Sequence, residues 1–219
     1  MIHVICIKFG NKYSSEYVNK LFRGISRNTS KSFLFTCFTD NQMGIDTKID
    51  CRSLPINVGD WHNKIGLYDC THYNKNNQIF YFDLDTVIVG DLDEIFSYTG
   101  DFILLRDFYR VDGFGSGLMS WRPHAVNHMW KNYTHGQKCK HGDQGWCEQQ
   151  YPGADIWQEV YPKKVISYKV HILMGGRLKS PKHTNYPGSL KTASIVCFHG
   201  KPLPHEAASK NKWMQEHWI

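Results

Sequence analysis

The sequence predicts an α/β fold with a mixed, mainly parallel central sheet flanked by helices. Three observations carry this. Val4 to Phe9 is apolar except for Lys8, and Ser32 to Thr39 (SFLFTCFT) reads the same way, the pattern of strands buried on both faces. Strand-like and helix-like stretches alternate over roughly the first eighty residues, which implies right-handed βαβ units. The chain has 219 residues, 41% hydrophobic and 14% aromatic, enough to bury one core, so a single domain over 1–219 is expected.

The elements follow in order. After the first strand, Gly10-Asn11-Lys12 forms a turn. Ser14 is placed to cap a helix with Glu16 in its first turn, where the dipole favours an anion. Tyr17, Val18, Leu21, Phe22 and Ile25 share one face of that helix. Lys48 to Cys51 is a weaker strand, Trp61 to Tyr68 looks helical, and Gln78 to Phe82 is a fourth strand ending in Asp83-Leu84-Asp85. The second half is less regular. Gly117 to Trp121 reads as a strand, Pro123 opens a short helix through Trp130, and Val165 to Tyr168 and Ile195 to Phe198 are late strands. Residues 172–193, with their glycines, prolines and lysines, read as a mobile loop. It could fold over a bound donor, hinged at Gly175-Gly176, with Arg177, Lys179 and Lys182 facing phosphate.

Composition narrows the function classes. No apolar run approaches the ~18 residues of a membrane span. Lys8 interrupts the apolar start before any cleavage site, so a cytoplasmic protein with reduced thiols is expected for its seven cysteines. The formal charge of +6 comes from scattered residues and suits a small polyanion such as a nucleotide diphosphate, with no nucleic-acid partner indicated.

Asp83-Leu84-Asp85 is the most informative tripeptide. Two carboxylates at i and i+2 would leave a strand at its carboxyl edge, where open α/β sheets bind ligands. Such a pair suits a hard divalent cation that bridges to phosphate oxygens; solvated turn aspartates are the plainer alternative. A second copy, Asp91-Leu92-Asp93, reads as structural, with Asp91 capping a helix and Glu94 as capping-box partner. The stretch from Asp83 to Glu94 is no calcium loop, because Ile88 stands where the turn glycine belongs. Gly113-Phe114-Gly115-Ser116-Gly117 precedes a strand, whereas a dinucleotide fingerprint follows one. His135, Cys139, His141 and Cys147 cluster without zinc-site spacing. Gly142-Asp143-Gln144 offers a carboxylate and an amide at a helix start, either as a sugar-orienting or basic group or as an N-cap. His199 lies just past the last strand, and Lys201 near it can pair with a diphosphate.

This ordered set resembles a small GT-A glycosyltransferase over about residues 3–205. It comprises Ile7 to Tyr13, Phe38-Thr39-Asp40, Trp61 with Lys64, Asp83-Leu84-Asp85, Gly142-Asp143-Gln144, Ser167-Tyr168-Lys169 and Phe198 to Pro202. Its compactness is similar to the domain that large chlorella viruses encode for capsid glycosylation, which would place it in the host cytoplasm. The resemblance implies a single GT-A (Rossmann-like) domain using Mn2+ or Mg2+. It implies Asp85 and His199 as metal ligands, with Asp83 helping at metal or ribose. Phe9, Gly10, Tyr13 and Asp40 would hold the nucleotide, with Lys64 and Lys201 facing base, ribose or phosphate. Asp143 and Gln144 would stand beside the transferred sugar. Retaining relatives often carry a second acid after Asp-Gln; here Gly145 and Trp146 follow, which leaves the stereochemical course open.

The implied reaction moves a sugar from a nucleoside-diphosphate donor, UDP first and GDP second, to a hydroxyl of a glycan or glycoprotein, by a monomer. A metal-dependent phosphohydrolase or a non-catalytic nucleotide-sugar binder would use the same ligands.

Overall fold

The computed structural model describes residues 1–175 and 186–219. In chain order the elements are β1 (Ile2–Lys8), α1 (Ser15–Arg27), β2 (Phe33–Thr39) and β3 (Asp50–Arg52), then a 3-10 helix over Trp61–Tyr68. Next come β4 (Gln78–Phe82), β5 (Thr86–Ile88), β6 (Phe102–Arg106), β7 (Phe114–Trp121), α2 (Pro123–Lys131) and α3 (Gly142–Gln150). The described chain continues with β8 (Asp155–Ile156), α4 (Trp157–Val160), β9 (Val165–Ser167), β10 (Ile195–Cys197), α5 (Pro204–Ala208) and α6 (Lys212–His217).

Seven strands form one sheet in the order β3-β2-β1-β4-β7-β6-β8. β3, β2, β1 and β4 are mutually parallel, and only β7 runs against its neighbours β4 and β6. Strand periodicity splits the core between the two faces. Val4, Cys6, Cys37 and Phe80 pack toward α1, while Ile5, Ile7, Phe38 and Tyr81 pack toward the 3-10 helix, α2 and α3. A second sheet, β5-β10-β9, joins the α1 side. Helix α1 comes close to it because Gly24 carries no side chain; a Cβ there would already touch Ile88 at 3.4 Å.

Several expectations need correction. Ser14 stands at the N-cap of α1, yet its hydroxyl makes no cap bond. Asp91 caps no helix with Glu94: its Oδ1 accepts from Asp93 N–H in a tight local turn, and only a three-residue 3-10 turn, Ile95–Ser97, follows. β7 begins at Phe114, so Gly115 and Gly117 lie inside a strand rather than before it. β9 and β10 fall within the expected late strands, whereas β5, β6 and the separate sheet β5-β10-β9 were not expected. The three residues of β5 are too few to carry a period. Of the expected loop 172–193, residues 176–185, with Gly176, Arg177, Lys179 and Lys182, lie outside the described residues. Its shoulders are bonded: His171 Nε2 meets Tyr186 O at 2.9 Å, and Ala193 is buried. Among the described residues no helix is long and apolar enough to cross a membrane.

Candidate active site

The carboxyl ends of β1 and β4 open onto a cavity of about 960 Å³. Phe9, Lys12 and Tyr13 enter it after β1, and Asp83, Leu84 and Asp85 after β4. Ser116 of β7 and Asp143 and Gln144 of α3 line one side; Phe198 and His199, past β10, line the other. The site is therefore where an open α/β sheet places ligands.

Period-2 geometry sets up the first carboxylate. Tyr81 and Asp83 point the same way along the chain, and Tyr81 Oη donates to Asp83 Oδ1 at 2.5 Å. Asp83 N–H donates to Gly117 O at 2.8 Å. A Cβ on Gly117 would come within 3.3 Å of Asp83 Oδ2, so this glycine leaves room for the carboxylate.

Lys64 ties the wall together from beneath. The 3-10 helix buries it, and its Nζ lies 2.9 Å from Asp83 Oδ1, 3.5 Å from Asp143 Oδ2 and 3.2 Å from Ser116 Oγ. Burial opposes its charge, but the carboxylates of Asp143 and Asp83 hold the ammonium above its usual range. Lys64 thus lines the cavity while paired with its carboxylates.

Asp143 is inside the first turn of α3; His141, at φ 66, is the residue at the cap. It is no N-cap but a buried carboxylate whose Oδ2 has no hydrogen-bond partner and only the Lys64 ion pair. Its neighbour Gln144 meets Arg110 at 3.4 Å, and Arg110 also pairs with Glu148 at 2.7 Å. No acid could follow at position 145, since a Cβ on Gly145 would lie 1.8 Å from Lys140 O.

Asp85 accepts from Tyr13 Oη at 2.7 Å. Burial, then the charge of Asp83, pushes its carboxyl up to about 6. The backbone brings His199 close: Phe198 N–H donates to Asp85 O at 3.1 Å. Yet the ring turns away, its Nε2 against Ser167 Oγ and its face stacked on Phe108. Burial and the Lys169 ammonium lower its pKa to about 4, so the imidazole is neutral at pH 7.

The donor chemistry fits the divalent ion that the Asp-x-Asp resemblance implies. Two carboxylates stand two residues apart, the pKa of the buried one shows a need for positive charge, and a neutral imidazole lies nearby. The three are not gathered: among the described residues, no group of three or more His, Cys, Asp or Glu converges to hold an ion.

The remaining expected residues sit further out. Gly10, at φ 58, donates its N–H to Asp40 Oδ2 at 2.8 Å, so this pair fixes the turn after β1. Lys201 is exposed and pairs with Glu206 at 2.6 Å, outside the cavity lining. Cys147 is buried against Tyr68 Oη at 3.2 Å. Sequence reading missed Tyr81 and Ser116, and named Ser167 in the resemblance without a role. Tyr81 was within reach, two residues before Asp83 on a strand, whereas Ser116 and Ser167 depend on pairings between distant segments.

No protein-family model and no curated protein matches the sequence. Solved structures do match. An active-site variant of LgtC superposes with a TM-score of 0.66 at 9% identity, covering 98% of this chain and 93% of that one. Glycosyltransferase GlyE of Streptococcus pneumoniae gives 0.61 at 14% identity, over 92% of this chain and 55% of its own. Mouse xyloside xylosyltransferase 1 gives 0.52 at 13% identity, over 91% and 97%. At these identities the likeness speaks for architecture, and with the mainly parallel sheet flanked by helices it shows that the chain has the GT-A fold.

Proposed function

We propose that the chain, acting as one domain over 1–219, is a hexosyl-type glycosyltransferase. It would take a sugar from a nucleoside-diphosphate donor, UDP ahead of GDP, to a hydroxyl on a glycan or glycoprotein. A viral capsid glycan is one such acceptor. The observation that carries this reading is the pairing of Asp83 and Asp143 through Lys64, in one cavity with Asp85, at the carboxyl edge of a GT-A sheet. Support also comes from LgtC, described as a galactosyltransferase in complex with donor and acceptor sugar analogues, which superposes at a TM-score of 0.64.

In this reading Asp83 and Asp85 would hold Mn2+ or Mg2+, with His199 as a further ligand once its ring is free of Ser167. The ion, when bound, offsets negative charge that builds on the departing diphosphate. Tyr13 and Phe9 pack beside the nucleotide, on a turn that Gly10 and Asp40 keep in shape. Lys64 pairs with Asp83 and Asp143 and fixes their direction. Gln144, steadied by Arg110, orients the transferred sugar. Asp143 takes the proton that the acceptor hydroxyl loses as the new glycosidic bond forms. Lys201 meets phosphate only after giving up Glu206.

One incubation decides among the classes. The protein is mixed with a panel of nucleotide sugars, Mn2+ and candidate acceptors, and the products are resolved. A glycosylated acceptor with free nucleoside diphosphate supports the reading. Sugar phosphate with nucleoside monophosphate instead identifies a phosphohydrolase, and unchanged donor identifies a binding protein.

A further inference from the structure

Trp61 stands at the mouth of the cleft with 61% of its surface exposed, the sole aromatic among the large exposed apolar side chains of the described residues. Its base is fixed. Asp60 Oδ1 takes the His62 backbone N–H and meets His62 Nδ1, each at 2.8 Å, and Lys138 pairs with the other oxygen. His62 Nε2 accepts Cys139 N–H at 3.4 Å, and the following residues, Asn63 to Tyr68, are buried. One edge of the indole is fixed as well. A Cβ on Gly142 would lie 2.6 Å from Trp61 Cδ1 and 2.7 Å from Nε1, so only glycine lets α3 begin there.

A flat aromatic surface on a rigid base, left open to water, is a preformed platform. The residue after Gly142 is Asp143, a cavity-lining carboxylate whose enclosed oxygen, Oδ2, meets only the Lys64 ammonium at 3.5 Å. We propose that the open face of Trp61 receives a pyranose ring of the acceptor, its C–H face on the indole and a ring hydroxyl donating to the Asp143 carboxylate. A sugar matches this pair because it has an apolar face and hydroxyl donors at its edge. A nucleobase also stacks, but the diphosphate of a donor would be held by a divalent ion at the Asp83–Asp85 turn, beside Tyr13. The term acceptor rests on the glycosyltransferase reading; the sugar platform itself does not.

The test uses the whole chain as wild type, Trp61→Ala and Trp61→Phe. Methyl glycosides of glucose, galactose, mannose and rhamnose are titrated without donor, with binding read by saturation-transfer NMR. At least one binds the wild type, about tenfold more weakly to Trp61→Ala and within about threefold to Trp61→Phe. Once a transferable donor and acceptor are known, acceptor KM rises about tenfold in Trp61→Ala and donor KM does not follow it. Equal binding by Trp61→Ala, absence of any pyranoside binding, or a matching rise in donor KM each overturns the proposal. Failure to turn over any nucleotide sugar overturns the glycosyltransferase reading instead, and the donor-free titration still decides the platform.

Discussion

On the wall of the cleft built from the 3-10 helix, β7 and α3, charged groups are joined across long stretches of chain: Lys64 reaches Asp83, Ser116 and Asp143. On the other side, past β9 and β10, His199 lines the cleft with its ring bonded to Ser167, and Lys201, just outside the lining, pairs with Glu206. The first wall is buried and its pairs cannot be undone without leaving a bare charge. The second is held by a hydrogen bond between a neutral ring and a buried hydroxyl and by an ion pair whose lysine is exposed. Exchanging either leaves no bare buried charge. One side is set before any ligand arrives, and the other is where binding must rearrange the protein.

The largest effect that can break this contrast is expected from Lys64→Met. Removing the ammonium strands Asp83 and Asp143, and loss of one partner of a buried pair costs about 3–5 kcal/mol in denaturant unfolding. A loss under ~1 kcal/mol means that the wall is not organised by Lys64. Next comes Asp143→Asn, which preserves shape but removes basicity. Turnover should fall ~10²-fold with UDP and Mn2+ affinity nearly intact, whereas Asp85→Asn should weaken the ion's binding itself. Native turnover in Asp143→Asn would move the base elsewhere.

The facing wall predicts smaller effects. Ser167→Ala removes the hydroxyl that holds the His199 ring, and a hydrogen bond of about 1 kcal/mol corresponds to roughly fivefold tighter Mn2+ binding in the presence of UDP. Unchanged or weaker binding shows that Ser167 does not restrain His199. Smallest of all, Lys201→Ala should leave the unfolding midpoint unmoved, Lys201 itself being 79% exposed. A clear shift would mean that the second wall is as fixed as the first.

The same division separates what the sequence discloses from what it hides. β1, α1, β2 and β4 are legible because each carries a local period long enough to read, and Asp83-Leu84-Asp85 is legible because its chemistry is contiguous. The hub around Lys64 is not. It joins residues 64, 83, 116 and 143, and only the folded sheet makes neighbours of them. β6, Phe102–Arg106, is plainly apolar, yet without a flanking helix signal its place in the sheet is invisible. The direction of the His199 ring is a matter of one rotamer, which no sequence pattern reports.

Among the described elements, the register of the parallel strands has one more consequence. Cys6 lies opposite Cys37, and Cys37 opposite Cys51, so three thiols cross β1, β2 and β3 in a row beneath α1. Cys6 and Cys37 are buried, and burial raises the Cys6 thiol well above its usual range, so neither meets an alkylating reagent in the closed fold. Cys70 and Cys139 are partly accessible and should label at once. Slow iodoacetamide labelling mapped to Cys6 and Cys37, apart from the buried Cys147 and Cys197, is then a clock for the lifting of α1 from the sheet, a native thiol reporter of local opening that needs no engineered probe.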